Sequence, residues 1–187
     1  MFNEGLFDAV ASDDEMIDLL YKWYRFPDRN LQGKLLEVIE KLNSWYPEER
    51  TLTVYRGYRK FETPDNTGHL LERNSNLHGF RFLNAKLGNK TKLEINAPAS
   101  WSLNKATAFI FSVGGNKSAI VETTVKVPSK NILVFNDEIY KAILRKYHVT
   151  ALIAPPMEEI VFVPDLGKKM TIEGKIIFIE KNKVINW

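Results

Sequence analysis

Cysteine is absent from the 187-residue chain, and with it go a disulfide framework, a thiolate metal site and a cysteine nucleophile. Histidine is scarce: His69, His78 and His148 are too far apart for a local metal site, and no His-Glu-x-x-His pattern occurs. No apolar run approaches the ~18 residues that a membrane span needs. The first residues, Met1, Phe2, Asn3 and Glu4, lack the basic start and apolar core of a signal peptide. A cytoplasmic location without membrane attachment is therefore expected. The Gly-x-Ser-x-Gly elbow, the P-loop and the Gly-x-Gly-x-x-Gly turn are missing too, which leaves hydrolase, nucleotide-triphosphatase and Rossmann readings without a foothold. A strong charge excess is also lacking. Lys and Arg number 26 against 23 Asp and Glu, a formal charge of +3, so any polyanion must be met by local groups rather than by the whole surface.

What is present is ordinary globular composition, 44% hydrophobic, 12% aromatic and 26% charged, at a length that favours one domain over residues 1–187. Ser12, Asp13, Asp14 and Glu15 have the form of a capping box, followed by Met16, Leu19, Leu20 and Trp23 at helical spacing. A second stripe, Leu31, Leu35, Val38, Ile39, Leu42 and Trp45, runs to Pro47. Residues 1–48 are thus expected to be helical, with Trp23, Trp45 and Tyr46 packing in a core. From residue 51 the texture turns to β-type. Strands are expected over 51–55, 93–95, 118–127, 132–135, 150–154, 159–163 and 170–180. Short helices are expected over 106–111 and after Asn136, a good N-cap. The Asn-, Gly- and Thr-rich stretch 62–89 reads as loop, with one short helix over 69–73. Helices first and strands afterwards is an α+β order.

Three polar elements stand at odd places. Arg56 ends an apolar strand beside Gly57; a guanidinium there is either solvated or ion-paired, or it meets an anion that the glycine lets close to the backbone. Ser100 and Ser102 flank Trp101 at a strand-to-helix junction, where hydroxyls cap the helix or face a cleft. Glu158 and Glu159 precede the apolar run Ile160, Val161, Phe162, Val163. By alternation one carboxylate points to the core side of its strand, as a rim charge or as a cleft acid.

Taken in order, Tyr55-Arg56-Gly57, Ser100-Trp101-Ser102-Leu103-Asn104 and Glu158-Glu159-Ile160-Val161-Phe162-Val163-Pro164 resemble the Arg / Ser-x-Ser / Glu series of toxin-like and small phage-encoded mono-ADP-ribosyltransferases. The likeness runs over 55–179, about two thirds of the chain. Gly114-Gly115-Asn116-Lys117 is similar to that family's phosphate–nicotinamide loop. The resemblance implies a split, mainly antiparallel β-sandwich over 51–187 with a central NAD cleft and an N-terminal helical layer.

The same resemblance implies residue roles. Arg56 would hold the NAD phosphates and the Gly57 backbone would meet the nicotinamide carboxamide. Ser100 would orient the catalytic carboxylate, Glu159, and Ser102 would support the strand junction. Asn116 and Lys117 would lie near the diphosphate. No metal is implied, and the partners would be NAD as co-substrate and a macromolecular acceptor, a host protein first and nucleic acid second, with the enzyme a monomer. Two departures stand out: Trp101 replaces a small middle residue, and Met157 stands where relatives carry the Glu or Gln that engages the acceptor. Acceptor recognition is thereby left to Met157 and Glu158. It also keeps open an NAD glycohydrolase, with water as acceptor, and a non-catalytic binding module.

Overall fold

The computed structural model describes residues 5–46, 50–58, 80–84, 90–112, 118–127, 129–148 and 159–179. The expected helix over 69–73 and strand over 150–154 lie outside the described residues.

Helices occupy the described N-terminal residues: α1 (Leu6–Ala11), α2 (Asp14–Arg25) and α3 (Gln32–Leu42), the last flanked by single 3-10 turns. α1 escapes the periodicity reading because only Leu6 and Val10 of its six residues are buried. The cap of α2 differs from expectation by one position. Asp13, not Ser12, is the N-cap and accepts from the Met16 N–H at 2.9 Å, while the Ser12 hydroxyl turns back to the Ala9 carbonyl that ends α1. A helix closing immediately upstream has claimed the serine. Met16, Leu20 and Trp23 of the expected stripe are buried, and Ile17 joins them where Leu19 is only half-buried.

The rest is mixed helix and antiparallel sheet: β1 (Arg50–Tyr58), β2 (Phe80–Asn84), β3 (Lys90–Ile95), β4 (Ala99–Ser102), α4 (Lys105–Ser112), β5 (Ser118–Val127), β6 (Ile132–Phe135), α5 (Asp137–Tyr147), β7 (Glu159–Phe162) and β8 (Met170–Ile179). Among the described residues these eight strands form one sheet in the order β2-β3-β8-β5-β1-β4-β7-β6. β2 corrects the loop expected over 62–89: Phe80, Phe82 and Leu83 make a short β-type run inside Asn- and Gly-rich sequence, and pairing with β3 fixes it as a strand.

Register positions the site. β1 pairs with β5 along its whole length, from Arg50 opposite Val127 to Tyr58 opposite Ala119. Its ladder with β4 on the other side holds for a single pair, Tyr55 opposite Ser102. Beyond that pair residues 56–58 and 99–101 stay in their strands, laddered to β5 and β7, but do not pair with each other, so the sheet opens between β1 and β4. From β4 the pairing resumes, with Ser102 opposite Glu159 on β7 and Glu159 opposite Phe135 on β6. β6 is an edge strand, and the Tyr46 hydroxyl accepts its Val134 N–H at 3.2 Å. Burial pushes the Tyr46 phenol well above its ordinary range. The helical layer is tied to the sheet again where the Gln32 amide donates to the carbonyls of Pro164 and Asp165 at 2.7 and 3.2 Å.

Candidate functional site at the opening between two strands

Directly paired residues share a sheet face, so Tyr55, Ser102 and Glu159 form a row across β1, β4 and β7. Ser100, two residues before Ser102, lies on that face as the diagonal neighbour of Glu159. Its hydroxyl is hydrogen-bonded to the Glu159 carboxylate.

Arg56 stands one residue beyond the last β1–β4 pair. There the Ser100 carbonyl faces strand β1 without a ladder to join, and the Arg56 guanidinium donates to it through Nη1. The side chain thus occupies the place of a backbone donor, half-buried between the separating strands, and it acts on Glu159 through its charge. The sheet opening brings together Arg56, Ser100 and Glu159, which stand 44 and 59 residues apart in sequence.

Gly57 follows directly. A Cβ built on it would meet the Ala108 carbonyl oxygen at 1.9 Å and the Ser112 nitrogen at 2.7 Å. The expected reason for the glycine, room for an anion, is corrected here: the space beside Gly57 is taken by the backbone of α4, and a glycine is required for that helix to lie so close. The capping alternative for the serines is corrected here. Asn104 caps α4, its Oδ1 accepting from Ala106 and Thr107 at 2.8 and 3.3 Å, because β4 continues through Ser102 and the helix begins three residues later. Ser102 is buried and accepts from the Asn104 N–H at 3.0 Å, which fixes the chain where it leaves the strand. Trp101 points to the opposite face from the serines. It is buried against Phe162, the rings edge-on with centroids 5.5 Å apart, so it is a core residue and not a wall of the site. Asn116, Lys117, Met157 and Glu158 lie outside the described residues.

The sequence pattern marks one further residue of the site as core packing alone. Trp23, the last apolar position of α2, is buried, and its indole N–H points at Glu159 Oε1 over 3.4 Å. Indole is an apolar body with one donor that seeks a partner when buried, and the helical stripe carries no sign of which partner that will be.

The carboxyl of Glu159 is held above the usual glutamate range, although part of the residue still reaches solvent. Burial is the largest cause; the Ser100 hydroxyl, the Trp23 indole and the charge of Arg56 oppose it in that order. Chemically, this is a carboxyl withdrawn from water, steered by two neutral donors, with a guanidinium nearby; once ionised it is a poorly hydrated anion. Its field is screened less than a surface carboxylate's and acts more strongly on a positive charge brought beside it. Among the described residues no group of three or more His, Asp or Glu could hold a metal ion. No protein-family model, curated protein or solved structure matches the chain.

Proposed function

We propose that this chain is an NAD-dependent mono-ADP-ribosyltransferase, which moves ADP-ribose from NAD to a macromolecular acceptor and releases nicotinamide. The single observation that carries the reading is the meeting of Arg56, Ser100 and Glu159 at the opening between β1 and β4. It adds to the resemblance of their motifs to the toxin-like and phage-encoded transferases, and the split sandwich with a central NAD cleft belongs to the same proposal.

Breaking the bond between ribose and cationic nicotinamide needs no acid, since the leaving group departs neutral; it leaves a sugar with oxocarbenium character. Glu159, as carboxylate, stabilises that charge and accepts from a ribose hydroxyl. Ser100 orients it. Arg56 supplies a fork of donors for phosphate oxygens, and the Gly57 backbone offers polar groups to the carboxamide. Asn116 and Lys117 extend the phosphate contacts, Ser102 holds the strand end, and Met157 with Glu158 borders the acceptor. Only the ionised glutamate does this work, so the rate of nicotinamide release rises with pH as Glu159 loses its proton.

The test is incubation with NAD labelled in its adenylate part, with bacterial lysate as acceptor, with and without nuclease. Wild-type protein is expected to release nicotinamide and to place label on protein, or on nucleic acid if nuclease removes it. Glu159→Gln should do neither. Label found wholly in free ADP-ribose would make water the acceptor, as Met157 suggests. Calorimetry with no heat for NAD or nicotinamide would leave a binding module and overturn both enzymatic readings.

A further inference from the structure

We propose that Trp23 is a positioning residue for the carboxylate of Glu159, so that the N-terminal helical layer is part of the reacting centre and not only its cover. The inference rests on the reading of Glu159 as the group that faces the sugar cation. Its structural content, an indole holding a carboxylate in place, can be tested without that reading.

The geometry is specific. Glu159 sits at the start of β7, in the row with Ser102 and Tyr55. Ser100 reaches it from within the sheet and Trp23 from a helix 136 residues away in sequence. Two donors from two layers fix both the place and the tilt of a carboxylate in a way that one donor cannot. The contact of 3.4 Å is at the long end for a hydrogen bond, as catalytic contacts often are before substrate binds.

α2 is itself held firmly enough to act as a mount. At its start Asp13 caps the helix and pairs with Lys41 of α3 at 2.7 Å. Lys146 of α5 pairs with Asp14 and Asp18 at 2.8 and 2.6 Å. The Tyr147 hydroxyl donates to Asp18, and the Tyr147 ring stacks on Tyr21 with centroids 3.9 Å apart. These ties lie on the first two turns of α2, and Trp23 projects from its last. A phenylalanine would fill the same core position; the N–H is what the packing does not need.

Among the described residues, the charged or titratable groups relevant to Glu159 are Arg56 on β1, whose charge acts on it, and Tyr55 and Glu122, paired further along the same row. Trp23→Phe leaves all three in place. In the variant, nicotinamide release is expected to fall about tenfold in kcat, the loss of one hydrogen bond to a charged group, with KM for NAD unchanged. The Glu159 midpoint, followed by carboxyl carbon NMR, should rise by about one pH unit. In wild-type protein one of the four indole N–H resonances should titrate with the same midpoint as the carboxyl and cease to do so in Glu159→Gln, a readout that does not depend on Trp23→Phe folding. The inference is overturned if no indole follows the carboxyl, or if Trp23→Phe melts earlier yet keeps the Glu159 midpoint and kcat. Wild-type protein that never releases nicotinamide would remove the proposed activity, and the titrations alone would then decide whether the indole holds the carboxylate.

Discussion

Two glutamates with little water around them occupy opposite ends of the sheet, each on the strand next to its edge. Glu94 on β3 is met by a lysine: Lys169 Nζ lies 2.9 Å from its carboxylate, with the lysine side chain 57% exposed. Glu159 on β7 is met by a hydroxyl, an indole N–H and the charge of a guanidinium that is itself bonded to a carbonyl. The first arrangement neutralises a charge where solvent begins and asks nothing more of it. The second keeps a carboxyl desolvated and oriented, with its field available once it is ionised. Perturbed, partly exposed groups of the second kind cluster at functional sites.

The comparison is broken most severely at Glu159. Glu159→Gln is expected to slow nicotinamide release by about a thousandfold or more, the scale of losing the main electrostatic stabiliser of a transition state, measured in single-turnover assays. Stability should move the other way. The folded carboxyl holds its proton to higher pH than the unfolded one, so the native state binds more protons between the two values. Stability therefore falls as pH rises from the ordinary glutamate range to the folded midpoint, and is level above it. Glu159→Gln removes that fall. Its melting temperature at neutral pH should equal or exceed wild type's, and denaturant titrations across pH 4 to 8 check this.

Two glycines on interior strands sharpen the contrast. Gly57→Ala drives a Cβ into the α4 backbone at 1.9 Å, whereas Gly174→Ala on β8 would meet the Glu122 carbonyl oxygen at 2.9 Å. The first is expected to cost about 3 kcal/mol and the second about 1 kcal/mol in urea unfolding. Arg56→Lys keeps the charge but loses the fork; a KM for NAD raised about tenfold with a lesser change in kcat is expected from steady-state assays. Smallest of all, Glu94→Gln should leave nicotinamide release unchanged and shift stability by about 1 kcal/mol or less, since its partner is a solvated lysine.

Much of the fold was legible because it is encoded locally. The stripes of α2 and α3, Asn136 as the cap of α5 with Oδ1 accepting from Ile139 at 3.1 Å, and the β-branched runs of β5 and β6 each announce themselves within about ten residues. β2 was not legible, because its five residues are surrounded by turn-formers and become a strand only by pairing with β3. The cap of α2 was misplaced by one residue because α1, too short to read, had taken Ser12. Arg56, Ser100 and Glu159 could each be singled out as polar residues where apolar neighbours made them conspicuous.

The sequence by itself determined most of the helices and strands, α1 and β2 excepted, and which side chains bring a guanidinium, a hydroxyl and a carboxylate, because propensity, capping and alternation act between near neighbours. Tertiary structure alone decided that β1 and β4 separate after Tyr55 and Ser102, that α4 fills the space beside Gly57, and that Trp23 turns its N–H to Glu159. Those outcomes depend on the register of strands and the seating of helices from distant parts of the chain. They are fixed only when the whole core packs, since no local pattern records which layer a buried donor will meet.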